Sequence, residues 1–302
     1  MSDAILNTLI YADIFDYPLT REELYQYLIS DHFLDKKTFN LLLLNLVKKK
    51  KVKQIKNRVG ETQIFFCLPK REGIISLRKK RKIYTLQKTK KTRNCLQFLK
   101  KIPTIKAIYF TGSISMSNTK EEDDIDIMII TQQNSLWLTR LLVTIVLDLF
   151  DLRRKPEQGK FSREVSDKIC PNLYLDEANL ELKTHQQNLY TAHEVVQAKV
   201  VWQRNDFAGK FVNSNAWVTK FLPHSPLPQL ISLKPNTLFI TKMLSLIIQP
   251  LDLIAYQFQR IYMQKRKTIE KVSKTSAYFH PRNTSQLIMQ KYLQKQQDLK
   301  IV

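Results

Sequence analysis

Along the first 69 residues the hydrophobic positions follow first the period of helices and then that of strands. Ile5, Leu9, Ile10 and Ile14 recur at helical spacing and predict a helix that Asp16-Tyr17-Pro18 ends. Thr20 stands three residues before Glu23, the spacing at which two side chains satisfy each other's backbone N–H at a helix start, so a second helix is expected to run to about Ile29. A third begins near Asp35 and turns Phe39, Leu42, Leu43 and Leu46 inward before the lysine run Lys48 to Lys51. Val52 to Ile55 and Thr62 to Phe66 then alternate as strands do, joined by the turn Asn57-Arg58-Val59-Gly60.

Helix, helix, helix and basic hairpin is the order of a winged helix, which sets 1–69 apart as a first domain. On a DNA-binding unit of that kind the third helix would bring Lys36, Lys37 and Asn40 to the major groove. The same unit can equally serve protein interaction or dimerisation. From 70 to 103 the chain reads as a basic helical connector with a loose apolar stripe that includes Ile74, Ile75, Leu77, Ile83, Leu96 and Leu99. Residues 104–226 alternate strand-like and helical runs: Ile105 to Phe110, Ile125 to Ile130, a helix over Leu136 to Leu152, Ile169 to Leu175 as a strand, then a helix starting near Tyr190. The last part, 227–302, is helical in pattern, with Leu238 to Met263 amphipathic, Lys265 to Lys274 charged, and Tyr278-Phe279-His280-Pro281 breaking it before a final helix with Ile288, Tyr292 and Leu293. The fold class expected is mixed α/β.

Composition narrows the setting. With 302 residues, of which 43% are hydrophobic, the chain is long enough for two or three packed domains, and disorder is excluded as its main state. Cys67, Cys95 and Cys170 are few, odd in number and widely spaced, which argues against a disulfide framework and for a reducing, cytoplasmic setting. The residues before Leu6 lack the basic run of a secretory signal. Arg140 and Asp148 interrupt one apolar stretch, and Lys242, Pro250 and Asp252 interrupt the other, so both read as core helices and no membrane partner is expected. The net charge is +22, and between Lys48 and Lys106 there are 21 Lys and Arg against only Glu61 and Glu72. A field of that size attracts nucleic acid or another polyanion, making the region 48–106 a candidate nucleic-acid surface; the alternative is a solvated basic helix face.

The chemistry concentrates in IKAIYFTGSISMSNTKEEDDIDIMIIT, residues 105–131. A β-branched and aromatic strand leads directly into Gly112-Ser113, where free backbone N–H groups can hold phosphate. Asp124-Ile125-Asp126 opens the next strand. Because side chains alternate, Asp124 and Asp126 project to one face while Ile125 and Ile127 point to the other. Strand, Gly-Ser turn, eleven residues from Ser113 to Asp124 and a second strand begun by alternating carboxylates together resemble the signature of the DNA polymerase beta-type nucleotidyltransferase superfamily, over about residues 105–177. The resemblance implies an α/β core in which Asp124 and Asp126 hold two magnesium ions, Gly112 and Ser113 grip an NTP, and a nucleoside monophosphate passes to a hydroxyl acceptor with release of pyrophosphate. The alternative is an acidic loop, Glu121 to Asp126, that keeps a strand end soluble.

The superfamily adds a third carboxylate on a later strand. In DKICPNLYLDEANL, Asn172 occupies the central position, so Asp176, with the parity of Asn172, is the expected third carboxylate, with Glu177 and Asp167 as neighbours. Arg153-Arg154-Lys155 offers cations for a triphosphate or a nucleic-acid backbone, or a solvated helix end. His193-Glu194 lacks the second histidine of a zinc helix, so His193 is expected to pack or hydrogen-bond beside the site. Two other functions fit the same residues: a nucleic-acid-binding regulator with a decayed transferase domain, and a toxin-antitoxin module that modifies protein or transfer RNA.

Overall fold

The computed structural model describes residues 2–57, 63–155, 165–205, 207–226, 238–264, 271–279 and 284–300. The turn at 58–60 and the His280-Pro281 break lie outside them. No helix among these residues is long and apolar enough to cross a membrane.

Helix α1, Ser2–Asp13, buries Ile5, Leu9 and Ile10 as their spacing requires. It stops where Asp16 takes a left-handed φ of 51°. A two-residue strand β1, Leu19–Thr20, then gives way to α2, Arg21–Gln26, whose start is the expected capping box: Glu23 N donates to Thr20 Oγ1 at 3.2 Å and Thr20 N donates to Glu23 Oε2 at 2.9 Å. The helix is shorter than the apolar spacing suggests, because Ile29 N turns back to donate to Thr8 Oγ1 at 2.9 Å. Helix α3, Lys36–Lys48, is capped by Asp35, whose Oδ1 accepts from Lys37 N and Thr38 N. Strands β2, Lys53–Asn57, and β3, Gln63–Cys67, pair antiparallel, and β1 joins them in the order β1-β3-β2.

Helix α4, Ile74–Leu99, is 26 residues and so about 39 Å long at 1.5 Å per residue. Its buried face is polar only in the middle, at Arg81, Thr85, Lys88 and Thr92, and each of those side chains is hydrogen-bonded. Arg78 pairs with Glu23 at 2.7 Å and lies over the Tyr17 ring, and Arg81 Nη1 donates to Phe15 O and to Asn118 Oδ1. Thr85 bonds Thr119, and further along Cys95, Leu96 and Leu99 enter an apolar core. One end of α4 is thus held by the N-terminal unit and the other by the central sheet.

That sheet has six strands in the order β7-β4-β5-β6-β9-β8: β4 is Ile105–Phe110, β5 Ile125–Thr131, β6 Ile169–Asp176, β7 Lys199–Gln203, β8 Lys271–Val272 and β9 Ser276–Tyr278. Only β5 and β6 are parallel, linked through α6, Leu136–Leu149. The single-turn helix α5, Gly112–Ser115, sits between β4 and β5. Past β6 come α7, Leu189–Gln197, α8, Phe207–Ser214, α9, Leu238–Gln264, and α10, Thr284–Lys300. The C-terminal stretch, expected to be helical on either side of a break at Tyr278 to Pro281, also supplies two sheet strands, β8 and β9, too short to carry a readable alternation.

Period 2 along β5 sorts the two cores. Ile125, Ile127 and Ile129 face a cluster with Leu136, Trp137, Val143, Leu147 and Ala255 from α6 and α9. Met128 and Ile130 face the other cluster, formed with Leu189, Ala192 and Val195 of α7, Phe207 and Phe211 of α8, and the N-terminal helices. Leu138 N donates to Asp252 Oδ1 at 2.8 Å and Gln259 Nε2 to Trp137 O at 2.8 Å, fixing α9 on α6. Asp126 shares the face of Met128, so whatever it binds lies on the side covered by α7 and α1.

Candidate metal centre

The site is built where β4 hands over to β5. Thr111 N donates to Asp126 O at 3.1 Å, drawing the end of β4 against the start of β5. Gly112 follows with φ of 60°, and a Cβ there would stand 3.0 Å from Asp126 Oδ2. Both the left-handed backbone and the close carboxylate require glycine. Ser113 Oγ donates to Asp123 Oδ2 at 3.1 Å, and Lys120 N donates to the same oxygen at 2.9 Å, so Asp123 organises the acidic loop rather than facing solvent.

Asp124, buried, and Asp126, half-buried, point to one side as their spacing requires. Cys170 lies directly across from Asp126 in the parallel register of β5 and β6. One ligand atom from each of Asp124, Asp126 and Cys170 can be chosen so that all lie within 4.8 Å of one another, a grouping able to hold a metal ion. Asn172 Nδ2 donates to Asp126 Oδ1 at 2.9 Å, while Asn172 Oδ1 is buried without a hydrogen-bond partner among the described residues. A buried amide oxygen left this way costs about 1–3 kcal/mol and marks a place for another group.

Arg154 crosses the site. Its guanidinium bonds Asp124 Oδ2 and reaches Cys170 Sγ at 3.8 Å, while its backbone N donates to Ile169 O at 3.0 Å. Arg153, by contrast, turns away to Asp148 at 2.6 Å. Burial, with Asp126 and Asp124 beside it, pushes the Cys170 thiol well above its usual range.

These groups form the polar end of a cavity of about 270 Å³. The same cavity is lined by aromatic rings, with Tyr11, Phe15 and Tyr27 from the N-terminal unit and Tyr190 and His193 from α7. His193 stacks on Tyr11 with ring centroids 4.1 Å apart, and burial lowers its pKa to about 3, so it is a neutral imidazole. Its Nδ1 is 3.1 Å from Gln197 Nε2, and its Nε2 has no partner among the described residues.

Lys88 of α4 supports the centre from beneath. Its side chain is 3% exposed, and its Nζ donates to Glu121 O and Asp123 O, each at 2.8 Å, to Asp167 Oδ1 at 2.9 Å and to Ser166 Oγ at 3.3 Å. One ammonium thereby ties the loop that presents Asp124 to the loop that leads into Cys170.

Asp176 is not brought to this centre. It pairs with Thr131, five residues beyond Asp126 on β5, which at about 3.3 Å per residue places it about 17 Å away along the sheet. Its carboxylate accepts from Asn134 N and Ala178 N, both at 2.8 Å, and caps the far end of the strands. Glu177 sits at the same far end, bonded by Gln133 N, and Asp167 is taken by Lys88 and Lys91. The position beside Asp126 on β6 belongs to Cys170 and Asn172. Of the residues expected from the sequence, the structure gathers Gly112, Ser113, Asp124 and Asp126, and leaves out Asp176.

Compared with protein-family models, with curated proteins and with solved structures, the chain matches none.

Proposed function

We propose that the protein is a nucleotidyltransferase that moves a nucleoside monophosphate from an NTP to a hydroxyl acceptor, using divalent cations, expected to be two magnesium ions, at Asp124 and Asp126. The observation that carries this reading is the approach of those two carboxylates to within 4.8 Å of each other, beneath the glycine turn at Gly112. Magnesium takes hard oxygen ligands and few of them from protein, a demand that the two carboxylates meet. Cations held there would neutralise charge on the entering and leaving oxygens of an in-line displacement at the α-phosphate. In this reading the Gly112-Ser113 turn receives the phosphates, Arg154 exchanges Asp124 for phosphate oxygens, and the aromatic wall with Tyr11 and His193 shields the reaction from water.

The N-terminal unit, with its helix–strand–helix–helix–hairpin order, supports a winged-helix reading, and Lys36 and Lys37 are exposed on α3. Lys79, Lys80, Lys82, Lys90 and Arg93 are exposed along α4, which favours a polyanionic partner on that side. The free cysteines favour a reducing, cytoplasmic setting.

The test is incubation with α-labelled NTPs, magnesium and cell extract. Labelled product that disappears with Asp124→Asn and with Asp126→Asn is expected; no product, or equal labelling by the variants, removes the reading. One observation favours the alternative of a decayed transferase acting as a binding protein: Arg154 already neutralises Asp124, and no carboxylate stands on β6 beside Asp126. Under that alternative the protein binds NTP or nucleic acid and turns nothing over.

A further inference from the structure

The third member of the group able to hold a metal ion is a sulfur. Asp126 and Cys170 are register partners on neighbouring parallel strands, and Cys170 Sγ lies within 4.8 Å of the ligand oxygens of both carboxylates. Magnesium has no use for a thiolate, whereas zinc, cobalt and cadmium bind mixed oxygen and sulfur sets readily. A second observation points to the same place. The amide of Asn172, 4% exposed and on the wall of the same cavity, gives its Nδ2 to Asp126 and leaves Oδ1 buried without a partner among the described residues. Turning that amide over exchanges its donor for an oxygen on the side of the cluster.

We propose that Asp124, Asp126 and Cys170, with the amide oxygen of Asn172 as a fourth ligand, form a site for one thiophilic divalent cation of the zinc class, and that this ion excludes magnesium and holds the transferase inactive. The inference deepens the proposed function, since the regulated site is the transferase site itself. Four ligands of this kind, two carboxylate oxygens, one thiolate and one amide oxygen, supply the coordination number zinc prefers. On binding, the S–H bond of Cys170 breaks, its proton passes to solvent and the thiolate forms the metal–sulfur bond, with no change in oxidation state. Arg154, which bonds Asp124 and lies 3.8 Å from Cys170 Sγ, leaves both as the ion takes its place. Zinc with three protein charges and zinc with substrate phosphates are then competing states of one cluster.

The experiment titrates the full chain with cobalt and follows sulfur-to-cobalt charge-transfer absorption, then repeats the titration with Cys170→Ser and Asp124→Asn, each checked for fold by circular dichroism and thermal melting. The expected result is a single equivalent of cobalt with a sulfur band in the native protein, displaced by zinc but not by millimolar magnesium. The band is absent in Cys170→Ser, and affinity in Asp124→Asn falls by on the order of a hundredfold or more, at least the scale reported for losing a supporting residue around a metal. Absence of the band in the native protein, or its retention in Cys170→Ser through Cys67 or Cys95, overturns the proposal. The Asn172→Ala variant, which keeps the sulfur, is expected to retain the band with weaker cobalt binding; unchanged affinity removes Asn172 from the ligand set. The absorption readout does not depend on turnover. A protein that shows the band but transfers no nucleotide loses the proposed function and keeps the site, whereas magnesium-dependent transfer without the band does the reverse.

Discussion

Lys88→Met removes the ammonium that joins the two loops beside the candidate metal centre while keeping the length and most of the volume of the side chain. The loss falls on four acceptors: two main-chain oxygens, of Glu121 and Asp123, the Ser166 hydroxyl, and Asp167 Oδ1. Deserting a buried acceptor costs about 1–3 kcal/mol, and breaking a buried ion pair about 3–5 kcal/mol. Asp167 is 28% exposed and keeps Lys91, and the loop carbonyls can regain water, so the net cost expected is about 3 kcal/mol. At roughly 2–3 °C per kcal/mol, toward the lower end for a chain of this size, the melting temperature falls by about 6–9 °C. The assay pairs thermal unfolding at neutral pH with amide hydrogen exchange. Exchange is expected to accelerate in residues 120–124 and 166–169, and to stay as in the native protein along α3. The acid limb supplies a second readout. Burial alone would raise the Asp167 carboxyl, but hydrogen bonds from Lys91 and Lys88 hold it below its ordinary value. Its contribution is therefore present at neutral pH and lost as pH falls from about 4, the unfolded value, through the lowered folded one. In Lys88→Met that part of the acid slope shrinks. A melting temperature within about 2 °C of the native protein, together with unchanged exchange in both loops, would refute the reasoning.

Gly112→Ala puts a side chain at a φ of 60°, about 1–2 kcal/mol of strain, and 3.0 Å from Asp126 Oδ2; calorimetry should show divalent-cation affinity reduced by about tenfold or more, and unaltered affinity would show that Asp126 can move freely. Asp176→Asn should leave cobalt and magnesium titrations unchanged, since the residue is at the far end of the strands. Burial raises its carboxyl above the ordinary value, so the native fold takes up this proton more readily than the unfolded chain and loses stability as pH climbs from about 3.9 to the folded value, a slope the variant should lack. His193, held neutral with its pKa lowered to about 3, contributes stability above its unfolded value of about 6.5 that declines as pH falls toward 3, by up to about 1.4 kcal/mol per pH unit; His193→Phe, which keeps a ring against Tyr11, should flatten denaturant midpoints between pH 6.5 and 4.

The parts of this molecule legible in the sequence are those whose cause is local. Thr20 and Glu23 cap a helix through residues three apart, and Ile105 to Phe110 is a strand with the bounds its composition suggests. Asp124 and Asp126 share a side because alternation is a property of the strand itself. What could not be read depends on partners distant in sequence. Helix α4 shows little apolar periodicity because its inward positions include Arg81, Thr85, Lys88 and Thr92; loops 118–123 and 165–167 bring partners to the first three, and Thr92 bonds Thr89 O of its own helix. Asp176 fails for a related reason: an irregularity of β6 between Pro171 and Leu173 breaks the parity that links it to Asn172, and pairing with Thr131 puts it on the face of Ile127 and Ile129, opposite Asp126, and at the far end of the strands. Cys170 has the parity of Asn172, but a thiol is outside the carboxylate pattern that the resemblance implies. Strands β8 and β9, two and three residues long, exist through pairing with β6 and each other.

The last helix described closes back on the first. Asp13, at the end of α1, is buried between Arg71 and Lys295, and Gln296 Nε2 donates to Asn7 Oδ1 at 2.8 Å, so contacts span more than 280 positions of the chain. Synthesis proceeds from the N-terminus, and a segment folds with whatever has already emerged. While α10 is still being made, Asp13 has Arg71 as its counter-ion but not Lys295, and the α1 surface that receives α10 faces water. The N-terminal unit can assemble its own sheet early, yet it reaches its final environment only when residues 284–300 dock. Loop closure over such a distance makes that step slow relative to the local helices and hairpins. A nascent chain stalled before α10 would thus present an assembled but unsealed first unit, a species recognisable by its susceptibility to proteolysis along α1.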